Sequence, residues 1–201
     1  MTHYRLSDFA RTISRSYSIE YDVLLRRLKT PAISSLIPSR RSSPGRTAHR
    51  LYEAVEIIRI AVLTCATNGN LDSRVCAELS RALDGEVFGY SSERRSALPP
   101  SMKMSDNTVR IANSIDIVAD GLISGENWFL ELITYFSPSN NSASYSARVR
   151  FNLPELAEVR RRRIVQTEQG YFEQYYSVFD LSSLLKPFVS LVSEHRELGS
   201  E

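Results

Sequence analysis

The sequence predicts an α+β protein: a mostly helical N-terminal part, then an antiparallel sheet with flanking helices. Two patterns and one imbalance carry this reading. Apolar residues recur at helical spacing through the first 84 positions. From position 128 to 179 the period switches toward two, with aromatic and β-branched enrichment between turn sequences. The 201 residues hold 25 Lys/Arg and 23 Asp/Glu, a net charge of +2, yet ten of those basic residues and three of the acidic ones fall in the first 50 positions. The near-neutral total therefore hides a basic N-terminal end and an acidic remainder, an asymmetry that points to nucleic acid or another anionic surface as partner.

Taken in order, YRLSDFARTI (4–13) and SIEYDVLLRRLK (18–29) are amphipathic helix candidates. The second turns Ile19, Val23, Leu24 and Leu28 inward and Arg26, Arg27 and Lys29 outward. Thr30-Pro31 is a good N-cap and first-position pair, so a short helical turn over 31–36 is expected before Pro38 stops it. The stretch LIPSRRSSPGRTAHRLYEAVEIIRIAVL (36–63) then runs a basic turn rich in Ser, Pro and Gly directly into an apolar helix. Residues 53–67 place Ala54, Ile57, Ile58, Ala61, Val62 and Cys65 on one face, so this helix is expected to be largely buried, and Asn68-Gly69-Asn70 ends it. Residues 71–84 follow with Leu71, Val75, Leu79 and Leu83 at i, i+4 spacing, capped by Asn70 or Asp72 at the start and Gly85 past the end.

These residues resemble a known family. LIPSRR followed by SSPGRTAHRLYEAVEIIRI is similar to the segment after the recognition helix in MerR-type winged helix-turn-helix domains, where a Leu-Ile-Pro strand leads into a basic wing, an Arg-x-Tyr element and a helix. Arg50 and Tyr52 occupy the Arg-x-Tyr element, YRLSDFAR resembles the family's first helix, and the pair from 53 to 84 resembles its third and fourth. The resemblance spans about 80 residues, roughly 40% of the chain. LKTPAISSL inserts residues where the family's recognition helix runs into the wing, and no long dimerisation helix follows Gly85. The resemblance implies a winged helix-turn-helix over 1–88 and binding to double-stranded DNA. Excisionase-like and phage-packaging proteins use similar modules.

Chemistry supports that partner. Arg40, Arg41, Arg46 and Arg50 in the wing offer guanidiniums to phosphate or to a minor groove, and Ser42 and Ser43 add hydroxyl donors. Sequence readout falls to groove-facing side chains between 18 and 35, for which Tyr21, Arg26, Arg27, Lys29, Ser34 and Ser35 are the candidates. Which element enters the groove is left open.

Residues 89–107 mix Ser, Pro and charge without apolar periodicity and read as a linker, with Pro99-Pro100 extended. The remainder, 108–201, reads as an α+β domain for self-association or partner contact. A helix is expected over 108–123, strands over 128–136, 145–153, 161–168 and 171–179 in a three- or four-stranded meander, and a C-terminal helix capped by Asp180 or Ser182 that buries Leu184, Leu185, Phe188, Leu191 and Val192. The run from Arg160 to Arg163 is a second phosphate patch or a charged edge strand, and Tyr171, Phe172, Tyr175, Tyr176 and Phe179 suit core or interface packing.

Other classes find little support. Two cysteines, Cys65 and Cys76, both in helical segments, do not furnish a four-ligand zinc site and read as small core residues. Asp116, Asp120, Glu126 and Glu131 read as solvated acids rather than ligands, and His3, His49 and His195 are scattered. No nucleophile constellation, phosphate loop or dinucleotide fingerprint stands out, so the expectation is no enzyme, no metal and no cofactor. No apolar run reaches 18 residues, and MTHYRLSDFARTISRSY interrupts its apolar residues with charge, so neither a membrane span nor a secretory signal is expected and a cytoplasmic location is. The chain is thus expected to be a sequence-specific duplex-DNA binder, a transcriptional regulator acting as a homodimer. The alternatives are an adaptor whose basic end docks an acidic protein, or an excisionase-like architectural DNA binder.

Overall fold

The computed structural model describes residues 3–41, 49–85, 101, 113–139, 141–151 and 172–198. They form the α+β arrangement that the periodicities imply: helices in the N-terminal half, and a three-stranded antiparallel sheet with flanking helices in the C-terminal half. The chain divides into two compact units, Met1–Ser80 with Leu184–Glu201, and Arg81–Ser183. Residues 184–201 thus group with the N-terminal helices, whereas the sequence placed them with the sheet.

In the first unit, helix α1 (Leu6–Tyr17) buries Leu6, Phe9, Ala10 and Ile13 at the expected spacing. It runs four residues further than expected, until Ser18 takes up left-handed backbone at φ 54°. Its amino end is closed by Asp8, whose carboxylate accepts the Arg5 N–H at 2.9 Å. Helix α2 (Tyr21–Leu28) packs on α1 and buries Leu24 and Leu28, while Ile19 and Val23 are only half-buried. Helix α3 (Pro31–Ser34) is the short turn that Thr30-Pro31 predicts, ending two residues early.

Next comes a two-stranded antiparallel ribbon, β1 (Arg40–Arg41) and β2 (Arg50–Leu51), with Arg40 opposite Leu51 and Arg41 opposite Arg50. One further bridge pairs Tyr4 with Tyr52 through two 2.9 Å backbone hydrogen bonds, and Phe9 packs between the two tyrosine rings at 5.4 and 6.4 Å. Helix α4 (Glu56–Asn68) begins three residues later than the sequence suggested. It is buried on nearly every side, so the expectation of a single apolar face was too narrow: Glu56 and Arg59 are buried as well. Gly69 caps its end, donating its N–H to the Cys65 carbonyl at 2.9 Å, and Asn70 then holds the positive φ of 57°. Helix α5 (Ser73–Asp84) starts at an Asp72 cap, whose carboxylate accepts the Val75 N–H at 2.9 Å, and buries Val75, Cys76, Leu79 and Leu83.

In the second unit, α6 (Ser114–Ile123) packs against β3 (Trp128–Ser137). Strand β3 pairs with β4 (Ser142–Phe151) on one side and β5 (Phe172–Asp180) on the other, giving the order β4-β3-β5. This corrects the expected meander, because the last strand returns to pair with the first. Strand β3 buries Trp128, Leu130, Leu132, Ile133 and Tyr135 on its two faces, so the backbone N–H and C=O groups along its edges are cut off from water and are paired with β4 and β5. The turn is tighter than SPSNNSAS suggested, since Ser142–Ser144 already belong to β4. The strand expected over 161–168, with Arg160 to Arg163, lies outside the described residues, as do most of the linker and 108–112.

The C-terminal helix is not continuous. Pro187 splits it into α7 (Leu181–Leu185), a 3-10 turn (Lys186–Phe188) and α8 (Val189–Leu198), as a residue lacking an N–H must. Asp180 caps it through the Ser183 N–H at 3.0 Å, and Leu185, Phe188 and Val192 are buried whereas Leu184 and Leu191 are half-buried. Within the first unit the Tyr17 hydroxyl donates to the Leu184 carbonyl and its ring meets Phe188 edge-on at 5.6 Å. Among the described residues, no helix is long and apolar enough to cross a membrane.

Candidate nucleic-acid interface

The candidate interface lies in the first unit and is assembled by three local devices. The first is the turn joining α1 to α2. Ser18 reverses the chain in left-handed backbone, the Ile19 N–H donates to the Ser14 carbonyl at 3.1 Å, and the Ser14 hydroxyl donates back to the Ile19 carbonyl at 2.6 Å. This reciprocal pair makes a compact helix-turn-helix without glycine. The second is α2 itself, whose leucines face the core and whose Arg26, Arg27 and the following Lys29 are exposed. The third is the ribbon, anchored at its base by the Tyr4–Tyr52 bridge.

The predicted site residues separate into groups. Arg26 and Lys29 are exposed. Arg27, also exposed, donates to the Asn68 side chain at the end of α4 and so is partly committed to the fold. Tyr21 is half-buried, with the Arg11 guanidinium 6.0 Å from its ring centroid. Ser34 is half-buried and Ser35 exposed beside it. Arg40 is 71% exposed and lies 3.6 Å from Glu53, while the backbone of Arg41 is in register with that of the exposed Arg50. Ser42, Ser43 and Arg46 fall outside the described residues.

Folding brings together side chains that the linear pattern kept apart. Arg5, Ser7, Lys29, Ser34, His49 and Arg50 line one cleft of about 450 Å³, floored by the buried Leu6 and Tyr52. Lys29, Ser34 and Arg50 were anticipated; Arg5, Ser7 and His49 were not. The only sequence signal for them was the Tyr4/Tyr52 pairing potential of two short extended segments, too slight to read in advance. A second hollow of about 300 Å³ is lined by Pro38, Ser39, Arg40, Leu51, Glu53 and Glu56, and so carries two carboxylates.

Behind this surface lies a buried polar relay. The Arg59 guanidinium donates to Glu56 at 2.7 Å and to the Ser80 carbonyl and hydroxyl at 2.8 and 2.7 Å, and the Ser80 hydroxyl donates to the Leu36 carbonyl at 2.9 Å. It ties the segment entering the ribbon to α4 and α5. The sheet holds a counterpart. Buried Glu131 accepts from Arg150 at 3.2 Å and from the Tyr176 hydroxyl at 2.9 Å, so it is not the solvated acid its sequence context suggested. Glu126 is likewise engaged, by Ser101 and by the Trp128 indole at 3.0 Å.

Both thiols are shifted upward by burial, and Cys76 is fully enclosed whereas Cys65 is only half so. Burial also pushes the Tyr17 phenol well above its usual range, with Cys65 adding to the effect. Among the described residues, no group of three His, Cys, Asp or Glu is placed to hold a metal ion. Compared with protein-family models and with curated protein sequences, the chain matches none.

Proposed function

We propose that this protein binds duplex DNA through the helix-turn-helix and ribbon of its first unit, as a MerR-like winged module acting in transcription control. The observation that carries the reading is a cleft lined by Arg5, Lys29 and Arg50, none of which has a carboxylate within ion-pair distance among the described residues. Arg26 is exposed on α2 and Arg40 on the ribbon, the latter beside Glu53. Basic side chains on a helix and a two-stranded ribbon suit a groove and its flanking phosphates. Helix α2 is the element assigned to the major groove, because it is the second of the pair and its leucines are turned away from solvent. Two copies are expected to act together, since such modules gain affinity by occupying paired half-sites. The sheet-containing unit is assigned to self-association or to a further partner.

The test is fluorescence anisotropy of the purified chain with labelled duplexes, including the region upstream of its own coding sequence, at two salt concentrations. Binding that weakens steeply with salt and prefers some sequences supports the reading. No binding at low salt by a folded sample overturns it and favours an adaptor whose basic end meets an acidic protein.

A further inference from the structure

The cleft between the start of α1 and the ribbon differs in kind from the rest of the basic surface. Its lining comes from segments distant in sequence: Arg5 and Ser7 from the beginning of α1, Lys29 and Ser34 around α3, and Arg50 from β2. Arg5, Lys29 and Arg50 are all exposed, and none has a carboxylate within ion-pair distance among the described residues. The nearest acid in sequence, Asp8, is occupied in capping the Arg5 N–H. A second hollow differs: Glu53 and Glu56 line it together with Arg40, and Glu53 lies beside Arg40 and Glu56 beside Arg59, so its carboxylates are matched inside the protein and leave no excess of positive charge for an anion.

We infer that the cleft seats one phosphodiester group of the DNA backbone, shared by Arg5, Lys29 and Arg50. This inference rests on the DNA reading above and adds a defined anion site to it, including a residue of α1 that lies outside both the wing and the second helix. Guanidiniums present paired N–H donors that match two phosphate oxygens, and an ammonium adds a point charge, so three such groups over one hollow suit a tetrahedral anion better than a planar base edge. The hydroxyls of Ser7 and Ser34 stand at the same rim to donate further hydrogen bonds. The floor of Leu6 and Tyr52 is held in place by the Tyr4 bridge, so the site exists before DNA arrives.

The experiment compares the full chain with Arg5→Gln, Lys29→Gln and the double variant, following duplex affinity across a salt series, with circular dichroism to confirm folding. Each single variant is expected to weaken binding to all sequences alike, and the double variant to weaken it further while lowering the slope of log affinity against log salt by no more than about 0.9, the value for one phosphate, because these charges serve one group. A fall of about two such steps in the double variant, or unchanged affinity in both single variants, overturns the shared phosphate while leaving DNA binding by the wild type intact. Absence of salt-dependent binding in the wild type removes the DNA reading itself, and this site with it.

Discussion

Arg50 in the ribbon and Arg150 in the sheet are the same side chain in two regions with opposite consequences. Arg50 is exposed at the edge of a cleft and meets no carboxylate among the described residues. Arg150 is 6% exposed and reaches buried Glu131 at 3.2 Å. The helical unit contains both kinds at once, since Arg59 is 1% exposed and held by Glu56 and Ser80. What separates the classes is water. A guanidinium away from solvent must have its charge and its N–H groups matched inside the protein, so it becomes part of the fold. One left in solvent is free of that demand and is available to an external anion. Counting arginines along the chain does not distinguish the two; burial does.

The strongest way to break this comparison is to remove a buried arginine. Arg59→Ala leaves Glu56 buried without its guanidinium and also strips the Ser80 contacts, and should destabilise the protein by about 3–5 kcal/mol in urea denaturation. Arg150→Ala should do the same to the sheet-bearing unit. A loss below about 1 kcal/mol in both would show that these pairs are dispensable and that burial does not sort the arginines as argued.

Packing in the second unit offers a somewhat smaller test. Gly121 sits where a Cβ would collide with the Trp128 indole nitrogen and the Glu126 carboxylate. Gly121→Ala should therefore cost about 1–3 kcal/mol and alter the fluorescence of Trp128, the only tryptophan in the chain. An unchanged emission spectrum and stability would mean that the helix and strand can separate at this point without penalty.

A pH experiment probes the first unit alone. Tyr17 has its pKa raised in the fold by burial and then by Cys65, so the neutral phenol is the form the fold favours. Its contribution is fully present below the unfolded value of about 10 and is lost as pH rises above it. Stability should therefore fall in alkaline solution, and Tyr17→Phe should lose that component of the decline while sacrificing the hydrogen bond to Leu184. Identical alkaline profiles for the two proteins would remove Tyr17 as the cause.

The smallest effects belong to the surface. Arg40→Ala removes an exposed pair with Glu53, so stability should change by less than about 1 kcal/mol while duplex affinity falls. Ser18→Gly should stabilise the α1–α2 turn by about 0.5–1 kcal/mol, because glycine adopts left-handed backbone without the Cβ penalty. Equal losses of stability for Arg40→Ala and Arg59→Ala would erase the distinction between the two arginine environments.

Much of the architecture was legible along the chain because it is written in local terms. The leucines of α2, the i, i+4 row of α5, the Thr30-Pro31 start and the alternation of β3 each concern neighbours a few residues apart, and periodicity reports them directly. The charge imbalance likewise marked the basic end before any coordinates. Tertiary structure alone decided the rest. It buried Glu56, Arg59, Glu131 and Arg150, which sequence reading either passed over or left in solvent, since their partners lie up to 45 residues away. It returned β5 to β3, because the backbone groups along both edges of a buried strand need partners whatever the order of the chain. It also drew Arg5, Lys29 and Arg50 around one cleft. Helical and strand periods measure only which face a residue shares with its near neighbours; which distant face comes to meet it is settled when the chain closes on itself.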